Sequence, residues 1–193
     1  MALGYWQTLA SVYADGTAST AAARASLLSG SAKNGLYTLA ANQLRVGDVL
    51  HLKANGTISS VVTTPGTARF DLSFGVGGTA VMDSSQIQLN VVAQSSVWWQ
   101  VEAEGIVRVA STSGNMWWFG IYNSINVQGS SIGPTAAGAI AEVGFPLPVP
   151  PAIGANVDMT VSNILDFNFT QTVNTGTITL KSYTLSYKTA TGF

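Results

Sequence analysis

The sequence predicts an all-β protein, a jelly-roll β-sandwich preceded by an N-terminal extended or short-helical arm, on three observations. From residue 36 onward, apolar and polar residues alternate with a period of two through run after run. The runs are short and separated by Gly, Asn, Asp and Pro clusters suited to tight turns. Past residue 30 no stretch carries the 3.6-residue periodicity of a long helix. Patterning of this kind also fits an immunoglobulin-like sandwich, so the topology within the class stays open at this level.

Residues 1–35 read as the arm and 36–193 as the sandwich domain. The arm sets Tyr5, Trp6 and Tyr13 in a small-residue context. Its alanine-rich stretch 17–28, TASTAAARASLL, allows a short helix capped by Thr17 or Ser19. SGSAKNG at 29–35 reads as a linker. Tyr37 and Leu39 open the first strand of the domain, and ANQLRVGD at 41–48 closes on a Gly47-Asp48 turn. The run 49–58 carries Leu50, Leu52 and Ala54 in phase, with Asn55-Gly56 as a kink or turn. TTPG at 63–66 turns into ARFDLSFG, where Phe70, Leu72 and Phe74 alternate with Arg69, Asp71 and Ser73. Two weaker strands flank Asp83-Ser84-Ser85.

The run 97–110 places Trp99, Val101, Ala103, Val107 and Val109 on one face and Trp98, Gln100, Glu102, Glu104 and Arg108 on the other. In the run 116–123, Trp117, Phe119 and Ile121 alternate with Trp118, Gly120 and Tyr122. Residues 128–151, rich in glycine and alanine and closing with PLPVPP, read as a long surface loop, since proline excludes a central strand. A further strand is expected at 157–161. The run 161–187 then reads as a hairpin turning at Asn174-Thr175-Gly176. Its apolar phase slips near Lys181-Ser182, which a β-bulge would absorb.

Composition narrows the function classes. Charged residues are 9 % of the 193, against about 25 % in an ordinary globular protein, and the net charge is −1. Such a surface favours association, so partner subunits are expected to cover part of it. Eight Lys and Arg without a basic stripe argue against nucleic acid, and no apolar run is long enough to span a membrane as a helix. The N-terminus lacks the pattern of a signal peptide. With no cysteine, disulfides and thiolate metal sites are excluded.

Little points to catalysis. His51 is the single histidine and sits on the face opposite Leu50 and Leu52, without visible triad or metal partners. Glu102 and Glu104 share a strand face roughly 7 Å apart, a spacing within reach of an inverting glycosidase pair. Carboxylates at this spacing are nevertheless common on wet strands. GVGGTA at 75–80 matches G-x-G-x-x-A, but the residues after it have strand rather than helix character, so a β-turn is expected. No cofactor, no metal site and no enzymatic activity are expected.

The tryptophan pairs 98–99 and 117–118 carry more information, because adjacent strand residues point to opposite faces. Judged by their companions, Trp99 and Trp117 turn inward and Trp98, Trp118 and Tyr122 outward. Outward aromatics mark an interface. The predicted contact set is Tyr5, Trp6, Tyr13, Trp98, Trp118 and Tyr122.

YTLAANQLRVGDVLHLKANGTIS at 37–59, TTPGTARFDLSFG at 63–75 and FNFTQTVNTGTITLKSYTLSY at 167–187 resemble virion structural proteins of tailed bacteriophages. The resemblance implies a jelly-roll module of the capsid decoration (cement or spike) type, without catalytic residues. It further implies a homotrimer, seated on the major capsid protein of the assembled shell, made in the bacterial host cytoplasm and resident on the capsid surface. The N-terminal arm would then bridge neighbouring capsomers, stabilising the shell by binding only its assembled form. The alternative is a receptor- or glycan-binding module of a tail or head fibre, using Trp98, Trp118 or the 129–145 loop.

Overall fold

The structure is a computed structural model that describes residues 5–28, 35–60, 66–75, 78–90, 92–129, 139–145, 156–174 and 176–190, with side chains at 125–129 and 139–145 excepted. Two antiparallel sheets account for the described strands. The front sheet has the order β1 (Gln7–Val12), β12 (Thr177–Lys188), β4 (Val49–Ser60), β8 (Gln94–Val109), β9 (Asn115–Gly129) and β10 (Ala139–Phe145). The back sheet has the order β2 (Ala25–Ser26), β11 (Asn163–Gln171), β5 (Thr67–Phe74) and β6 (Thr79–Asp83). β3 (Tyr37–Leu39) adds to β11, and β7 (Ile87–Gln88) adds to β5.

Period-two patterning builds one core between the sheets. Phe70 of β5 lies at its centre, with ring centroids 5.1 Å from Trp99, 5.4 Å from Tyr122, 5.9 Å from Phe167 and 5.2 Å from Phe169. Phe167 stacks across the gap on Tyr183 at 5.9 Å. Burying each of these rings contributes about 1.5–3 kcal/mol. Two glycines make room for the tryptophans they pair with. Gly56 pairs Trp99 and Gly105 pairs Trp118, and a Cβ on Gly105 would stand 2.2 Å from the Trp118 ring.

Several expectations are corrected. Residues 161–187 do not form a hairpin: β11 lies in the back sheet and β12 in the front sheet, so the chain crosses the sandwich between them. That crossing lets Phe167 and Tyr183 face each other, whereas a hairpin would have put both on one side. The expected bulge is present, with the β12–β4 register shifting between Leu180 and Ser182. Among the described residues no helix forms at 17–28; Ser19 bridges Ile178, and β2 follows. Val12, Leu27 and Leu28 are core residues, so the described part of the expected arm is laid on its own domain.

The expected loop at 128–151 contains β10, paired to β9 from Gly120 to Gly129; residues 130–138 and 146–151 lie outside the described set. Asn55-Gly56 neither kinks nor turns and continues β4. The expected strand at 157–161 reduces to a bridge between Val157 and Gly114. Val109, placed inward by its phase, is 40 % exposed beyond a register shift.

Candidate functional site

The outer face of the front sheet gathers the chemistry. Antiparallel register sets its residues in cross-strand rows. One row runs Ser182, Asn55, Gln100, Asn123; the next Thr184, Lys53, Glu102, Ile121; the next Ser186, His51, Glu104, Phe119; the last contains Ile106 and Trp117. The face therefore grades from amides through charges to aromatics.

At its centre is a shallow hollow of about 240 Å³ lined by His51, Glu102, Glu104, Phe119 and Ile121 and floored by Ala103 and Gly120. Glu102 is held on three sides. His51 Nε2 lies 3.1 Å from Oε1, Gln100 Nε2 donates to Oε2 at 3.1 Å, and Lys53 Nζ is 3.4 Å from Oε2. Partial burial pushes the Glu102 pKa up, but the His51 hydrogen bond and the Lys53 charge outweigh it and hold the carboxyl below its ordinary range. Glu104 makes no ion pair among the described residues.

Aromatic rings border the hollow. Phe119 is 41 % exposed, and its ring centroid lies 5.0 Å from that of Trp117. Trp6 packs 5.5 Å from the His51 ring, with Lys188 Nζ 5.8 Å above the Trp6 face. On the far side of Trp117, the Arg108 guanidinium lies 5.8 Å from the indole centroid.

The predicted contact residues divide. Trp6 belongs to the site, and Trp98, 44 % exposed, shares its face two rows away, opposite Thr57. Tyr5 and Tyr13 are exposed at the ends of β1 and do not line the hollow. Trp118 and Tyr122 face the core rather than solvent and are buried, while Trp117, Phe119 and Ile121, expected inward, lie on the outer face. The phase of β9 is thus inverted from the sequence expectation. The cause lies in composition: the outer set of Trp117, Phe119 and Ile121 is more hydrophobic than the inner set of Met116, Trp118, Gly120, Tyr122 and Ser124. Gly105 was the available signal, since a glycine in the inward run of β8 requires a large partner across the strand.

No protein-family model matches the sequence, and no curated protein is detectably similar to it. Among solved structures, the CBM2 module of the evolved Dit of Lactobacillus casei BL23 phage J-1 aligns with 82 % of this chain and 70 % of its own, at 7 % identity and a TM-score of 0.28. Agreement at that level establishes neither a shared fold nor a residue correspondence.

Proposed function

We propose that the chain is a glycan- or receptor-binding module of a phage virion, with the outer face of the front sheet as its contact surface. The observation that carries this is the exposed Phe119 ring set beside the Glu104 carboxylate, which has no ion pair among the described residues, in an open hollow. A pyranose offers an apolar C–H face and a rim of hydroxyls. An aromatic ring takes the first, and carboxylates and amides take the second. Glu102 adds an acceptor fixed in place before the ligand arrives, which lowers the ordering cost of binding. The virion assignment rests on the sequence resemblance. Within the sandwich class, we read the β4–β5 limb pairing strand for strand with β12 and β11 as a jelly-roll ribbon.

Binding without hydrolysis is the favoured mode. Glu102, shifted below its ordinary range by His51 and Lys53, is suited to accept hydrogen bonds from a ligand rather than to serve as a general acid. Calorimetry against sugars selected on a glycan array tests the reading. Phe119→Ala and Glu104→Gln should each weaken binding by about tenfold or more with the fold intact. Retained affinity in both variants would remove this face from the function.

The capsid-decoration reading draws on a different observation, the exposed Tyr5, Tyr13 and Trp98 outside the hollow. In that reading a homotrimer seats on the major capsid protein through these aromatics. The described part of the N-terminal segment belongs to the sandwich, so the bridging would fall to the domain itself. A monomeric species in concentrated sedimentation runs, without binding to empty shells, would end that reading.

A further inference from the structure

We propose that the same face carries a second subsite, built around Arg108, that selects glycans bearing an acidic substituent, a carboxylate or a phosphate. The inference rests on the glycan-binding reading and extends it from the hydroxyl-binding hollow to the charge of the ligand.

Three observations converge on Arg108. The β8–β9 register shifts between Val107 and Val109, so Arg108 stands at a bulge with no opposite residue on β9. Bulges re-aim side chains and recur beside binding sites. The guanidinium lies over the Trp117 ring, 5.8 Å from its centroid, a contact that leaves its charge unneutralised. Arg108 also makes no ion pair among the described residues, and with Val109, Asn115 and Trp117 it lines a second hollow of about 450 Å³.

Among the described cations near the central hollow, His51 and Lys53 are engaged on Glu102, and Lys188, over Trp6, is an ammonium with no fork. Arg108 alone of these presents a guanidinium, whose fork matches the two oxygens of a carboxylate or phosphate. Four residues of strand separate it from Glu104, about 13 Å. The aromatic pair Phe119 and Trp117 spans that interval. Glu104 repels an anion from the central hollow, so an acidic oligosaccharide would lie along the aromatic pair in one direction, its charged group at the Arg108 end.

Calorimetry on the full chain with hyaluronan octasaccharide, its carboxyl-reduced counterpart and a poly(glycerol phosphate) chain tests this. The wild type should bind the acidic octasaccharide about tenfold tighter than the reduced one at low ionic strength, as expected for one charge-assisted hydrogen-bonded pair. Arg108→Gln should erase that preference. Arg108→Lys, which keeps the charge and loses the fork, should fall between. Tighter binding of the glycerol phosphate chain than of hyaluronan would assign the substituent as phosphate. Equal binding of the acidic and reduced sugars by the wild type, or a preference that survives Arg108→Gln, would overturn the subsite while leaving the hollow intact. Failure of Phe119→Ala to weaken any of the three ligands would overturn the underlying reading, and the subsite with it.

Discussion

The two outer faces of the sandwich treat their polar groups in opposite ways. On the back sheet, Arg24 reaches over from the N-terminal segment to Asp71. Its Nε lies 3.1 and 2.9 Å from the two carboxylate oxygens, its Nη2 also pairs with Asp71, and its Nη1 donates to Gly78 O at 2.8 Å. Asn168 Nδ2 donates to Asp71 Oδ1 and Ser73 Oγ, both at 3.0 Å, Ser26 Oγ donates to Asp166 Oδ1 at 2.5 Å, and Arg69 pairs with Asp83. Asp71, Ser73, Asp166 and Asn168 are all buried. Among the described residues the front face instead leaves Glu104 and Arg108 without an ion pair and Phe119 open to solvent. Charges that satisfy one another hold a structure together, and charges held in place without a partner are available to a ligand.

The widest gap between the faces should appear when the back network loses its cation. Arg24→Met removes the partner of a carboxylate whose side chain is only 3 % exposed. Stranding a buried charge in this way costs about 3–5 kcal/mol, while β2 keeps its pairing with β11. Urea denaturation should therefore show a large drop in midpoint. A loss below about 1 kcal/mol, the scale of an exposed ion pair, would mean that the back face is no more committed to folding than the front.

The front face should respond to a larger excision with less. Phe119→Ala deletes a whole ring, yet the ring is 41 % exposed and packs outside the core. Its cost should stay near or below about 1 kcal/mol, well under the 3–5 kcal/mol of a buried Phe→Ala. A core-sized loss would make Phe119 a structural residue and leave its exposure without a functional meaning.

That contrast also explains what could be read from the sequence. The all-β class and the β12 bulge were legible because each lies where burial and period agree: Tyr183, Leu185 and Tyr187 resume the inward phase after Leu180 through a single inserted residue. On β9 they disagree. Trp117, Phe119 and Ile121 form the more hydrophobic set and point outward, so a rule that sends the apolar side inward selects the wrong face there. The back sheet misleads in the reverse sense. Asp71, Ser73, Asp166 and Asn168 read as a wet strand face, and only the distant Arg24 and Ser26, brought across by β2, bury them. No local pattern encodes a partner 47 residues away from Asp71 and 140 away from Asp166. The crossing between β11 and β12 escaped for a related reason, since a turn signal marks a change of direction and not the sheet the chain turns into.

The smallest expected effect separates the faces by sign. On the back sheet, burial raises the Asp166 pKa, against the pull of the Ser26 hydrogen bond and the Arg24 charge, and its Oδ2 accepts no hydrogen bond among the described residues. The folded state therefore keeps a proton that the unfolded chain releases. The stability this contributes is full below the ordinary Asp value near 3.8 and is lost as pH rises through the folded pKa. Glu102, shifted down, behaves oppositely: its contribution is present above its ordinary value near 4.5 and is lost as pH falls through the folded pKa. Measured from acid to neutral pH, Asp166→Asn should gain on the wild type as pH rises, and Glu102→Gln should lose ground over the same range. The Glu102 difference should remain below about 0.5 kcal/mol because solvent screens a partly exposed carboxylate. Parallel pH profiles for the two variants would erase the distinction between a carboxylate that burial shifts up and one that its neighbours at the surface shift down.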